Sequence, residues 1–214
     1  MDNKEIQVIS GQTIKRYTDR YNIYRHEIKT LGWGSQEMQE YRFSQLAKYV
    51  NMHDKSLLDI GCGFGDLFNY LEKHDVLLNK YIGWDINYNL IADTRVFSPK
   101  ASLKVFDIAL EKPAKPVANI GCMFGLLNWN LNDREKNYDY SMRLISNAFE
   151  AVTDVLVVDF LSSYITADYP KEDIVFYHDP SVMLSKLYSL TSNVDMIHSY
   201  LPIPQKEFML ILYK

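Results

Sequence analysis

The chain has only two cysteines, Cys62 and Cys122, in 214 residues, too few to brace a disulfide scaffold. It has no run of Lys or Arg, and its formal net charge is -4. That balance points away from a surface that tracks a phosphate backbone, and so away from nucleic acid as a partner. No apolar stretch approaches the roughly 18–20 residues needed to span a bilayer, so no membrane association is expected. The first residues, Met1-Asp2-Asn3-Lys4-Glu5, lack the basic-then-apolar pattern of a secretory signal. These absences lead to the expectation of a reduced, cytoplasmic protein. What is present suits a folded chain: 47% of residues are hydrophobic and 23% charged, and the length fits one domain with a real core.

The pattern along the chain divides near residue 50. Residues 14–50 read as helical and rich in aromatics, with a break at Leu31-Gly32-Trp33-Gly34-Ser35. Ser35 is placed to cap the next helix, because its short side chain can accept from exposed N–H groups of the first turn. Apolar runs with little alternation follow at 56–60, 81–84, 103–106, 116–122 and 155–160, the mark of strands covered by helices on both faces. Helices are expected at 66–74, 88–97 and 133–151, whereas 109–115, with Pro113 and the following Pro116, reads as a loop. Near the end, 181–190 reads as a helix and 194–200 and 207–213 as strands joined by Leu201-Pro202-Ile203-Pro204-Gln205. A connection that short cannot hold a crossover helix, so this pair should be antiparallel. Repeated βα units closed by an antiparallel pair make a doubly wound α/β domain.

In such a sheet, ligands bind beyond the carboxyl ends of the strands. The first strand runs into Asp59-Ile60-Gly61-Cys62-Gly63-Phe64-Gly65-Asp66, where glycines allow close approach to the backbone. The dinucleotide fingerprint needs glycine at its sixth position, and here that position is Asp66. Asp59 ahead of the loop suits a ligand with an ammonium and a carboxylate better than one with two phosphates. Asp85 ends the second strand, where a carboxylate can accept from both ribose hydroxyls. Asp107 ends the third, in Phe106-Asp107-Ile108, placed for an adenine amino group. The plain alternative is that both acids only terminate strands or cap helices.

These segments together resemble the class I S-adenosylmethionine (SAM)-dependent methyltransferases: Leu58-Asp59-Ile60-Gly61-Cys62-Gly63-Phe64-Gly65, then Gly83-Trp84-Asp85-Ile86, then Phe106-Asp107-Ile108. The resemblance covers the chain from about Lys55 onward. It implies a Rossmann-like seven-stranded sheet in the order 3-2-1-4-5-7-6 with strand 7 antiparallel. It also implies SAM as cofactor and S-adenosylhomocysteine (SAH) as product. Residues 31–35 with Arg42-Phe43 resemble the lid of small bacterial members, so residues 1–50 are expected to form a helical lid on a methyltransferase domain at 51–214, one structural domain overall. By the resemblance, Gly61 and Gly63 contact the methionine part of SAM, Asp85 the ribose, and Asp107 and Ile108 the adenine, with Asp59, Ile86 and Met123 alongside. Arg42 is a candidate for the SAM carboxylate, which a guanidinium matches bidentately; a surface salt bridge is the alternative. Cys62 and Cys122, at the ends of neighbouring strands, are expected as small apolar lining beside the cofactor. A redox pair is the other reading, and a metal would need more ligands than the sequence offers.

The fourth strand runs into Asn119-Ile120-Gly121-Cys122-Met123-Phe124-Gly125. It lacks the Asn/Asp-Pro-Pro-aromatic sequence that members acting on amino groups of adenine, cytosine or glutamine carry here. The acceptor is therefore expected to be a small molecule methylated on oxygen or nitrogen. Trp33, Phe124, Asn128, Trp129 and Phe160 are candidate walls, with Tyr17, Tyr21 and Tyr24 from the N-terminal segment; core packing is the alternative for each aromatic. Trp33 between two glycines suits a closing lid. His178, before a helix in Phe176-Tyr177-His178-Asp179-Pro180, is the best placed histidine for a general base, against a surface or capping role. Two further readings stand beside methyl transfer: transfer of another SAM-derived group, and a catalytically silent SAM-binding subunit.

Overall fold

The computed structural model describes residues 1–167, 171–199 and 207–214. Among these, seven strands form one sheet: β1 (Ser56–Ile60), β2 (Lys80–Asp85), β3 (Ser102–Val105), β4 (Ala118–Met123), β5 (Val152–Leu161), β6 (Val194–Ile197) and β7 (Glu207–Tyr213). Their order is β3-β2-β1-β4-β5-β7-β6. The pairs among β1 to β5 are parallel, while β7 runs antiparallel to both β5 and β6. The order and the reversed strand are those the resemblance implied. The expected sixth strand at 194–200 stops at Ile197, and the connection 201–205 lies outside the described residues.

Alternation along the strands builds two cores. In β5, Leu156, Val158 and Phe160 face one side and Val155 and Val157 the other; β7 divides its residues in the same way, with Phe208, Leu210 and Leu212 opposite Met209 and Ile211. Helices α6 (Arg134–Glu150) and α7 (Pro180–Leu187) cover the first side through residues such as Leu144, Ile145, Met183 and Leu187. Helices α3 (Gln36–Tyr49) and α4 (Asp66–Lys73) cover the second through Phe43, Leu46, Leu67 and Leu71. Burial on both faces is why these strands read as continuous apolar runs.

The N-terminal region departs from the sequence reading. Helix α1 (Asn3–Tyr24) starts at Asn3 and not near Ile14. Asp2 accepts from the Glu5 N–H at 2.9 Å while its own N–H donates to Glu5 at 3.1 Å, a capping box. Only Ile6 and Ser10 of this helix are buried; Ile6 anchors it in the core, while the rest covers the rim of a cavity. A weak apolar stripe follows from that placement, and periodicity had nothing to detect. After α2 (Ile28–Leu31) and the Gly32–Gly34 break, Ser35 caps α3 as expected, accepting from the Met38 N–H at 3.2 Å.

The chain leaves β1 for β2 and β3 on one side, then returns to place β4 on the other side of β1. The point of reversal lies between β1 and β4, and their carboxyl ends open the crevice where ligands bind in such sheets.

Candidate functional site

The loop after β1 is tied down on the β2 side. The N–H groups of Gly61 and Cys62 donate to the Trp84 carbonyl at 2.7 and 3.0 Å. Gly61 and Gly63 have φ of 79° and 52°, a region that disfavours residues with a β-carbon. A β-carbon on Gly63 would stand 2.9 Å from the Leu31 side chain, so α2 presses directly on this loop.

Asp85 sits at the end of β2 and is buried. Its two oxygens accept from the Gly63 N–H at 3.1 Å and the Asn87 N–H at 2.8 Å. Burial pushes its carboxyl up to about 6, although these bonds pull in the opposite direction. Asp59, on β1, is buried against Tyr81 and Cys122, whose hydroxyl and thiol both donate to it. Burial raises this carboxyl to about 7. Asp107 stands two residues beyond the end of β3, where it accepts from the Ala109 N–H at 2.9 Å and from Ser10 of α1 at 2.5 Å.

Helix α1 runs across these strand ends. Ser10 reaches Asp107, and the Asn87 side-chain amide donates to the Ile14 carbonyl at 3.2 Å and to the Thr18 hydroxyl at 3.0 Å. Nearer its end, Arg20 donates to the Lys29 carbonyl, which joins α1 to α2. The result is a roofed cavity of about 590 Å³, within the range of sites for small molecules and cofactors. Its walls include Asp59, Gly61, Cys62, Gly63, Asp85, Ile86, Asp107 and Ile108 from the strand ends. Trp33, Arg42, Phe124, Asn128 and Trp129 enclose the part beyond β4.

Several residues singled out in the sequence lie elsewhere. Cys122 and Met123 are fully buried in opposite cores and do not line the cavity. Phe160 is core, stacked on Phe208 with centroids 4.8 Å apart. Tyr21 turns away, with Phe64 and Arg25 around its ring, and it is Tyr17, one turn earlier, that lines the cavity. His178 is fully buried among Tyr138, Phe160 and Phe176, 3.1 Å from the Ser141 hydroxyl, and desolvation lowers its imidazole to about 3. An uncharged imidazole sealed from the cavity is a core group and cannot take a proton from a ligand there.

Arg42 lines the cavity, but its guanidinium already has partners. Nε lies 3.1 Å from Asp159, Nη2 donates to Glu207, and Nη1 donates to the Met38 carbonyl at 2.5 Å. The pair is buried and not at the surface. It pins α3 to β5 and β7. The Trp33 ring lies over it, with the guanidinium carbon 4.3 Å from the ring centroid, and the same ring packs against Gly125. Asp159 and Glu207 escaped the sequence reading, although an acid inside an otherwise apolar strand, as in Val157-Val158-Asp159-Phe160, is a signal of its own. Thr13, Arg16 and Arg20 of α1 also line the cavity. Arg16 and Arg20 fall in the stretch that read as helical, and the Asp2-x-x-Glu5 box marks where their helix starts.

The sequence matches no family model and no curated protein. Solved structures do resemble the fold. DhpI in complex with SAH superposes with a TM-score of 0.66 at 13% identity, covering 94% of this chain and 95% of that one. Magnesium protoporphyrin IX methyltransferase from Synechocystis PCC 6803, with bound SAH, gives 0.63 at 13% identity over the whole of both chains. An S-adenosylmethionine-dependent methyltransferase from Mesorhizobium loti gives 0.62 at 12% identity, covering 85% of this chain and 99% of that one. The chain has the fold of the class I SAM-dependent methyltransferases.

Proposed function

We propose that this chain is a SAM-dependent methyltransferase whose cavity holds SAM and a small-molecule acceptor, with the methyl group passing to an oxygen or nitrogen of that acceptor. One observation carries this reading: three adjacent strand ends deliver the glycine loop, Asp85 and Asp107 into a single cavity roofed by α1. The residues fit the cofactor. A buried carboxylate at Asp85 suits a pair of ribose hydroxyls, since ionised acceptors make the stronger hydrogen bonds. Asp107 suits the adenine amino group, and Gly61 and Gly63, whose left-handed backbone bends the loop along the cavity wall, suit the methionine part. With Arg42 engaged, Arg16 and Arg20 of α1 are the better candidates for the cofactor carboxylate. Neither has a carboxylate partner among the described residues. Asp66, already at the N-terminus of α4, places a negative charge where a dinucleotide would put its pyrophosphate, which disfavours that class.

SAM, when bound, supplies a methyl group made electrophilic by a positive sulfur. The chain's own part is then to position the acceptor and exclude water. Residues 1–50 serve as the lid in this reading, with Trp33 closing over the acceptor from between Gly32 and Gly34. Among the described residues no histidine lines the cavity, so the mechanism draws on an acceptor that needs no imidazole base. No helix among the described residues is long and apolar enough to cross a membrane, and both cysteines are free; we place the protein in the cytoplasm.

Calorimetric titration with SAM and SAH tests the cofactor assignment, and micromolar binding of both is expected. Binding of neither would overturn the proposal. Binding of both with no methylation across a metabolite panel would favour a silent SAM-binding subunit.

A further inference from the structure

We propose that the acceptor end of the cavity selects a molecule carrying a protonated amine, which Glu207 holds through its second carboxylate oxygen. This rests on the methyltransferase reading and names the class of acceptor for the same site.

The argument starts from a charge imbalance. Arg42, Asp159 and Glu207 are buried together, with side chains 4%, 2% and 1% exposed. Among the described residues two carboxylates therefore face one guanidinium, and a buried cluster with unbalanced charge is costly until a proton or a cation joins it. The hydrogen bonds locate the vacancy. Asp159 accepts from the Gly125 N–H at 2.7 Å through one oxygen, and the other lies 3.1 Å from Arg42 Nε in an ion pair. Glu207 gives Oε1 to Arg42, while its buried Oε2 has no hydrogen-bond partner among the described residues. Glu207 and Arg42 are walls of the cavity and Asp159 is not. A cavity-bound donor can therefore meet this cluster at Glu207.

A neutral hydroxyl would satisfy the oxygen and leave the charge unbalanced. An acid would add repulsion. An ammonium supplies both the donor and the charge. An ammonium also has no lone pair, so it cannot attack the methyl group. The amine is the anchor, and the methyl goes to another atom of the same molecule.

Three probes with one ring and different tails test this: tyramine, 4-(2-hydroxyethyl)phenol and 4-hydroxyphenylacetate, titrated into the SAH-loaded protein. Tyramine should bind at least about tenfold more tightly than the other two. In Glu207→Gln its affinity should fall about 10- to 100-fold, the range for a charge-assisted hydrogen bond, and converge on that of the hydroxyl probe. SAH affinity should stay within about threefold. Equal binding of the probes, preference for the acid, no binding of any probe, or an amine preference that survives Glu207→Gln would each overturn the proposal. If the wild type fails to take up SAH, the cofactor assignment falls instead, and the same titrations on the unloaded protein still decide the amine preference. Should Glu207→Gln not fold, Asp159→Asn balances the cluster internally and should weaken the amine preference by a similar factor.

Discussion

Asp85→Asn replaces a buried carboxylate by an amide of the same shape, and stability and affinity should respond very differently. In the folded chain burial lifts this carboxyl from 3.8 to about 6. The stability linked to the protonated group is complete below 3.8 and is lost as pH rises through 6. At pH 7.5 the ionised Asp85 therefore costs about 3 kcal/mol, which the neutral amide avoids. Against that gain, an amide has one oxygen for the two N–H groups of Gly63 and Asn87. Its NH2 must face the other, at about 1–3 kcal/mol. These terms nearly cancel, so we predict a change in unfolding free energy within about 2 kcal/mol by urea titration. SAH binding should suffer much more. A carboxylate accepting two ribose hydroxyls becomes a neutral group with a single acceptor, a loss of about 3–4 kcal/mol or roughly 10²- to 10³-fold by calorimetry. A loss below tenfold in a variant that melts like the wild type would refute the ribose assignment. A fall of more than about 4 kcal/mol in stability would show that the main task of Asp85 is to hold the glycine loop.

Three further outcomes follow from the geometry. Because ligand binding calls for the ionised Asp85, SAH affinity should be flat above pH 6 and decline toward about tenfold per pH unit below it; calorimetry at pH 5 and 7.5 checks this, and a profile unchanged in Asp85→Asn would contradict it. Trp33→Ala removes the ring that lies on Arg42 and Gly125, so turnover should fall about tenfold or more while SAH affinity stays within about threefold; undiminished turnover would remove Trp33 from the lid. His178→Phe should leave SAH affinity unchanged and flatten the acid limb of stability. A histidine held down to about 3 gives stability that is complete above its unfolded value near 6.5 and lost as pH falls. The wild type should therefore lose about 2 kcal/mol from this group between pH 7.5 and 5, and the variant should not. Urea unfolding at both pH values isolates the difference, since the raised carboxyls are common to the two proteins.

The sequence by itself determined the sheet, because strands buried on both faces must be written as apolar runs and the links between them as helices or tight turns. It also determined the strand-end wall of the cavity. Gly61, Gly63, Asp85 and Asp107 are local features, each set by the strand it terminates, and they converge once the strands are parallel and adjacent. The tertiary structure decided the rest. Sequence spacing placed Phe160, Cys122 and Met123 at the carboxyl ends of strands, but the face on which a strand residue lies depends on its exact register, and all three turned into the cores. His178 read as a loop histidine because nothing local showed that three aromatic rings would close around it. Arg42 read as a ligand for the SAM carboxylate or a surface ion pair because its buried partners, Asp159 and Glu207, are more than a hundred residues away in the chain. Long-range charge pairing leaves no periodic trace. The cluster of Arg42, Asp159 and Glu207 is brought together only by the packing of α3, β5 and β7.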